Sequence, residues 1–151
     1  MRRDYHEMLG IVREADSRGL AGSSGYPHLP ALLADMLRVP RAQATRLLGH
    51  AKLVIPAASV SGVETESPLA RTGQAMAAGV IGGDHLSAIA TTIAALPCRA
   101  DADWVDAAVP EDVEATLVRT AHSTDARTIT KLGRMILARL DQDGPQPATR
   151  T

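Results

Sequence analysis

The chain has 151 residues, and its 16 Lys and Arg against 17 Asp and Glu leave a formal net charge of −1, so no global field draws it to nucleic acid or a membrane. The length suffices for a sizeable core, but there is no Phe, one Trp and two Tyr, so helices must pack through Ala, Leu, Ile, Val and Met rather than around rings. A single cysteine, Cys98, excludes an intramolecular disulfide and a thiolate metal cluster within one chain, and a reducing cytoplasm is the expected location.

Taken in order, the N-terminus starts basic, but Arg13, Glu14 and Asp16 break its short apolar run, so it lacks the uninterrupted apolar region expected of a signal peptide. No apolar stretch approaches the roughly 18 residues of a membrane span. Tyr5, Met8, Leu9, Val12 and Ala15 predict a first helix with these side chains inward, ending near Gly19. The turn-rich residues 21–27 then separate it from the central stretch, Leu29 to Ile55.

That stretch holds two helical patterns joined at Arg38-Val39-Pro40. Ala31, Leu32, Leu33, Met36 and Leu37 form the first, opened by Pro30. Ala44, Leu47, Leu48, Ala51 and Ile55 give the second an apolar stripe, opposite Arg41, Thr45, Arg46, Gly49, His50 and Lys52. The pair resembles a helix-turn-helix, with Ala34 at the crossing, Val39 turned inward, and Ala44 and Leu47 packing the second helix back. Arg38 stands where glycine is usual, so the backbone there either avoids positive φ or bears a cost. Arg38, Arg41, Thr45, Arg46, His50 and Lys52 are the candidate nucleic-acid-binding residues. The alternative is a helical hairpin whose charged face meets only water.

Beyond Pro56, residues 57–67 lack a sustained period and read as a surface loop. Pro68 opens a helix over Leu69 to Ala78, stopped by Gly79. Gly82 and Gly83 lack the preceding strand and fuller glycine spacing of a phosphate cradle, so they read as a sharp turn before Asp84 as N-cap. Leu86, Ile89, Ala90, Ile93 and Leu96 stripe the next helix, which ends at Pro97.

Residues 101–114 contain Asp101, Asp103, Asp106, Glu111, Asp112 and Glu114 and no base, whereas 37–53 contain Arg38, Arg41, Arg46 and Lys52 and no acid. The acidic segment predicts a short helix around Trp104 and a longer one from Glu111 to Ala121, with its acids solvated and favoured by the helix dipole. The last helix runs from Asp125 to Leu140, with Ile129, Leu132, Ile136 and Leu140 inward and Arg127, Lys131 and Arg134 opposite. The tail is too polar and proline-rich to pack. The expected fold is therefore all-α, a single domain of about seven helices over 1–141 followed by a disordered tail at 142–151.

No catalytic constellation emerges. Histidines 6, 28, 50, 85 and 122 show no i, i+4 pairing, and Ser23, Ser24 and Ser87 lie outside any nucleophile-elbow context. His85 beside Asp84 reads as surface or as a local cap, and the acidic segment lacks the ligand pattern of a calcium loop. No metal, cofactor or small-molecule ligand is inferred.

Three segments in order carry a family resemblance: 29–54, then ARTGQAMAAGVIGGDHLSAIATTIAALP at 70–97, then DARTITKLGRMILARLDQDG at 125–144. The second includes Ala75, Ala77, Gly79, Ile81 and His85, and the third closes on Leu-Asp-x-Asp-Gly. The set, over about residues 26–144, resembles the actinobacterial 13E12 repeat family. The resemblance implies an N-terminal helical domain of unknown function, usually followed by an HNH endonuclease module. That module needs a His base, metal-holding groups and an Asn-type residue. This chain has no asparagine and no matching C-terminal segment, so the expectation is a non-enzymatic, shortened or split member.

Two functions follow as expectations. One is a module that positions or binds duplex DNA through the face around 41–52. The other is an assembly module that forms a homodimer or docks a separately encoded half, its acidic 101–114 face meeting a basic one.

Overall fold

A computed structural model describes residues 2–58, 64–96 and 109–143. Among them the chain is all-helical apart from one short strand pair: α1 (Arg2–Ser17), α2 (Leu20–Ser23), α3 (Leu29–Leu37), α4 (Arg41–Val54), β1 (Ala57–Ala58), β2 (Glu64–Thr65), α5 (Ala70–Ala77), α6 (Gly83–Ala94), α7 (Val109–Ala121) and α8 (Ala126–Asp143). The expected all-α class is what the structure has. None of these helices is long and apolar enough to cross a membrane. The expected helix around Trp104, the end at Pro97 and the tail beyond 143 lie outside the described residues.

The chain forms two compact units, Met1–Gly83 and Asp84–Thr151. In the first, α1 packs against α4 and α5, and α3 against α4. Leu9 and Val12 supply the buried seam of α1, while Met8, expected inward, is 39% exposed at the seam's edge. Gly19, at φ 61, ends the helix region as expected. The turn-rich segment that follows contains one helical turn, α2, which buries Ala21. Tyr26 N–H then donates to the Ala21 carbonyl at 2.8 Å.

Residues 57–67 are more ordered at their base than a loop: β1 and β2 pair antiparallel, Ala57 opposite Thr65 and Ala58 opposite Glu64. Residues 59–63 lie outside the described set. Gly73 of α5 brings that helix onto α4. A Cβ there would meet the Val54 carbonyl oxygen at 2.6 Å, so no side chain fits without a backbone shift.

In the second unit α7 and α8 pack together. Leu86, Ile89, Leu117 and Ile129 are fully enclosed, as the helical periods of α6, α7 and α8 predict. Gly133, buried on α8, faces Thr92 of α6, and a Cβ at 133 would lie 3.2 Å from the Thr92 Cβ and overlap its hydroxyl. Thr92 is itself buried, with its hydroxyl donating to the Ala88 carbonyl at 3.1 Å.

Three expectations fail locally. Asp84 is not an N-cap, because α6 begins one residue earlier at Gly83. The ring of Tyr5 covers Gly83, with Cε2 placed 2.9 Å from where a Cβ would stand, so a side chain at this position would have to displace the ring. Glu114, expected on a solvated face, is buried and has a partner, whereas Glu111 and Asp112 are exposed in the first turn as expected. The last helix begins one residue late, because Asp125 caps it: Thr128 N–H donates to its carboxylate at 2.8 Å.

Candidate nucleic-acid interface

The connection between α3 and α4 determines what α4 presents. His28 caps α3, with its Nδ1 accepting from Ala31 N–H at 3.2 Å. At the other end Arg38 adopts φ 55 and ψ 48, and the Val39 N–H donates to the Ala34 carbonyl at 3.1 Å. That is a left-handed cap of the kind glycine usually closes. Arg38 is the one non-glycine residue at positive φ among the described residues, and an L-side chain there costs roughly 1–2 kcal/mol. Pro40 then precedes α4 and accepts from the Gln43 and Ala44 N–H groups.

On α4 the buried positions are Ala44, Leu47, His50, Ala51 and Val54. At about 100° per residue, this arc is turned by about 60° from the predicted stripe, towards His50 and Val54 and away from Leu48 and Ile55. Leu48 and Ile55 are only half-buried. The rotation arises because α4 is packed by α1, α3 and α5 together, which places its enclosed side by three neighbours rather than by its own apolar residues.

His50 therefore leaves the predicted interface. It is 8% exposed, and its Nδ1 lies 2.7 Å from the Tyr5 hydroxyl of α1, with the two rings edge to face at 6.0 Å. If Tyr5 donates, His50 is the neutral acceptor. Burial holds its pKa below the ordinary histidine value, and the neighbouring Arg46 cation pushes in the same direction.

The other five candidates are exposed: Arg38, Arg41, Thr45, Arg46 and Lys52. None of the four cations has an ion pair among the described residues. Arg41 Nη1 approaches His28 Nε2 at 3.4 Å. A neutral His28 that accepts at Nδ1 carries its proton on Nε2, so it cannot also accept from Arg41; the cap is the shorter contact and takes precedence. Thr45 donates its hydroxyl proton to the Arg41 carbonyl at 3.0 Å, which leaves its oxygen able to accept.

Two residues that matter here escaped the sequence reading. Tyr5 was assigned to the core without a polar role, and His28 carried no cap signal because N-caps are usually Ser, Thr, Asp or Asn. In the second unit His85, read as surface or as a local cap, is 6% exposed and bonds to a residue 39 positions away. Its Nε2–H donates to the Thr124 carbonyl at 2.8 Å, tying the start of α6 to the α7–α8 turn. A buried histidine fixed on a main-chain carbonyl is a structural tie rather than a mobile acid or base. Among the described residues no group of three or more His, Cys, Asp or Glu side chains is placed to hold a metal ion.

A family model described as a domain of unknown function (DUF222) matches residues 3–151. No curated protein matches the chain, and no solved structure does.

Proposed function

The chain belongs to the DUF222 family, and on that premise we propose that it is a non-catalytic helical domain that contacts duplex DNA through the exposed cations around α4. The observation that supports this reading is the set of Arg38, Arg41, Arg46 and Lys52, all exposed, with no carboxylate between residues 37 and 53. Arg41, Arg46 and Lys52 stand on a helix whose opposite side is enclosed by three others, and Arg38 stands in the turn before it. Arg41, Thr45 and Arg46 occupy the first turns of α4, the part of a second helix that reaches base edges in helix-turn-helix docking. On this reading Thr45 accepts from a base amino group. The nearer relationship within this reading is to the N-terminal helical domain of the 13E12 repeat proteins, on the order of the three motif segments, with a cytoplasmic location.

The test is duplex affinity across a salt series. Four phosphate contacts by this surface contribute about −3.6 to the slope of log K against log salt. Arg46→Ala is expected to weaken binding and flatten the slope by about one unit with the fold intact. Leu47→Ala, at a buried position, is expected to cost about 2–5 kcal/mol and to weaken binding only through unfolding. If Arg46→Ala binds like the parent at every salt concentration, the α4 reading fails. With Mg²⁺, Mn²⁺ or Zn²⁺ present the duplex is expected to stay intact.

A second reading, self-association or docking of a partner, is favoured by Ile11 and Met36, which are 71% and 67% exposed in the first unit. A mass in solution that is a multiple of the chain's, with no duplex affinity at low salt, selects it.

A further inference from the structure

Outside the α4 surface, α8 carries a second run of cations. Between Ala126 and Leu140 it contains Arg127, Lys131, Arg134 and Arg139 and no acid, and all four cations are exposed. At about 100° per residue, Arg127, Lys131 and Arg134 fall within an arc of about 60°, with Arg139 about 80° to one side. The helix's inward side is opposite, where Ile129 and Gly133 are buried and Leu132, Ile136 and Leu140 half-buried. None of the four cations has an ion pair among the described residues.

The contrast with α1 is informative. There the charges are arranged in opposite pairs, the half-buried Arg13 with Asp16 at 3.0 Å and the exposed Arg18 with Glu14 at 2.7 Å, so each cation is neutralised within its own helix. On α8 Arg127 and Lys131 (i, i+4) and Lys131 and Arg134 (i, i+3) are like charges, which repel and weaken the helix, with acids only at its ends, Asp125 before Arg127 and Asp141 and Asp143 after Arg139. A polyanion relieves that repulsion. On the apolar side only Ile129 and Gly133 are buried and Leu132, Ile136 and Leu140 are half-buried, while Met135 stands 68% exposed between Lys131 and Arg139, and one exposed apolar side chain among cations is too little for a helix to lie in a membrane interface. What it offers is charge at regular intervals: about 18 Å of helix from Arg127 to Arg139, a length of duplex that carries about ten phosphate charges.

We propose that α8 is a second phosphate-contact surface for duplex DNA, formed by Arg127, Lys131, Arg134 and Arg139. It shares its partner with the α4 reading but stands on different residues in a different unit.

The experiment is the salt dependence of duplex binding by the full chain, with two further variants: Arg127→Gln/Lys131→Gln/Arg134→Gln, and Arg41→Gln/Arg46→Gln/Lys52→Gln. Glutamine keeps helix propensity, and circular dichroism checks the fold of each. With both surfaces engaged the parent slope is about −7.2, and either triple variant flattens it by about 2.7. A parent slope of about −3.6 that only the α4 variant flattens overturns the α8 surface and leaves the α4 reading standing. A slope that only the α8 variant flattens does the reverse. If the α8 variant changes the mass in solution and leaves the slope alone, α8 is an assembly face and the inference falls. A parent with no duplex affinity at low salt ends both.

Discussion

The two units each lock a buried histidine between elements, and they do it differently. In the first, His50 is paired with the hydroxyl of Tyr5, one side chain with another across α1 and α4. In the second, His85 donates to a main-chain carbonyl at the α7–α8 turn. The first of these depends on the protonation state of both side chains, and burial holds the His50 pKa below the ordinary histidine value, so the first unit holds an acid-sensitive lock. The close helix contacts differ too. Gly73 meets the backbone oxygen of Val54, and Gly133 meets a side chain, Thr92, that its own hydrogen bond to Ala88 holds in place.

The largest expected effect breaks the second unit selectively. Gly133→Val forces a branched side chain into Thr92, and overpacking of this kind costs about 3 kcal/mol. Residue-resolved hydrogen exchange should show α6 and α8 losing protection while α1 and α4 keep theirs; equal loss in both units refutes the separation.

The acid response comes next and concerns the first unit. His50 has its folded pKa below the unfolded value of 6.5, so below pH 6.5 the unfolded chain takes up a proton that the folded one resists. The contribution of His50 to stability is therefore flat above pH 6.5 and declines as pH falls from there to the folded pKa, by at most about 1.4 kcal/mol per pH unit. His6 is shifted the same way, by burial first, against an opposing effect of Glu7, so it adds to the decline. His50→Gln should reduce the slope of denaturation midpoint against pH in this range. An unchanged slope would remove His50 from the account.

The smallest effects are gains. Gly49 lies exposed in α4 with no atom within 4 Å of an added Cβ, so Gly49→Ala should raise stability by about 1 kcal/mol. Arg38→Gly should raise it by about 0.5–1 kcal/mol, less than the full relief because glycine has more unfolded freedom to lose. Thermal midpoints check both, and Gly133→Ala run alongside should move the opposite way from Gly49→Ala.

These positions also mark how far sequence alone reaches. Leu9, Val12, Leu86, Ile89 and Ile129 were legible because each repeats at a helical period with apolar neighbours, and Gly79 because glycine after a helical run signals a stop; it stands at φ 77. The connection around Arg38 was legible as the turn of a helix-turn-helix-like pair, where an arginine in place of glycine either avoids positive φ or bears a cost, and it is the second that holds. His50 was not, since a histidine among arginines reads as outward, and the tyrosine that draws it in lies 45 residues away. Thr92 escaped for another reason: its hydroxyl bonds its own helix, so a polar residue packs as an apolar one. Gly133 gave no sign because glycine within a helix marks a close crossing only once the facing residue is known. Of the six candidate interface residues, five are exposed and one is buried. The misplaced one is the residue whose position depends on a distant partner.

The angles at Arg38, φ 55 and ψ 48, are close to the mirror image of the ordinary right-handed helical basin, so the residue this backbone suits best is one of opposite hand. A chain assembled by chemical ligation with D-arginine at position 38 keeps the guanidinium and removes the clash between Cβ and the following carbonyl that an L-residue suffers there. Glycine at the same position removes the clash and the charge together. Handedness thus becomes an independent variable at this one turn, separating what the backbone prefers from what the side chain is kept for.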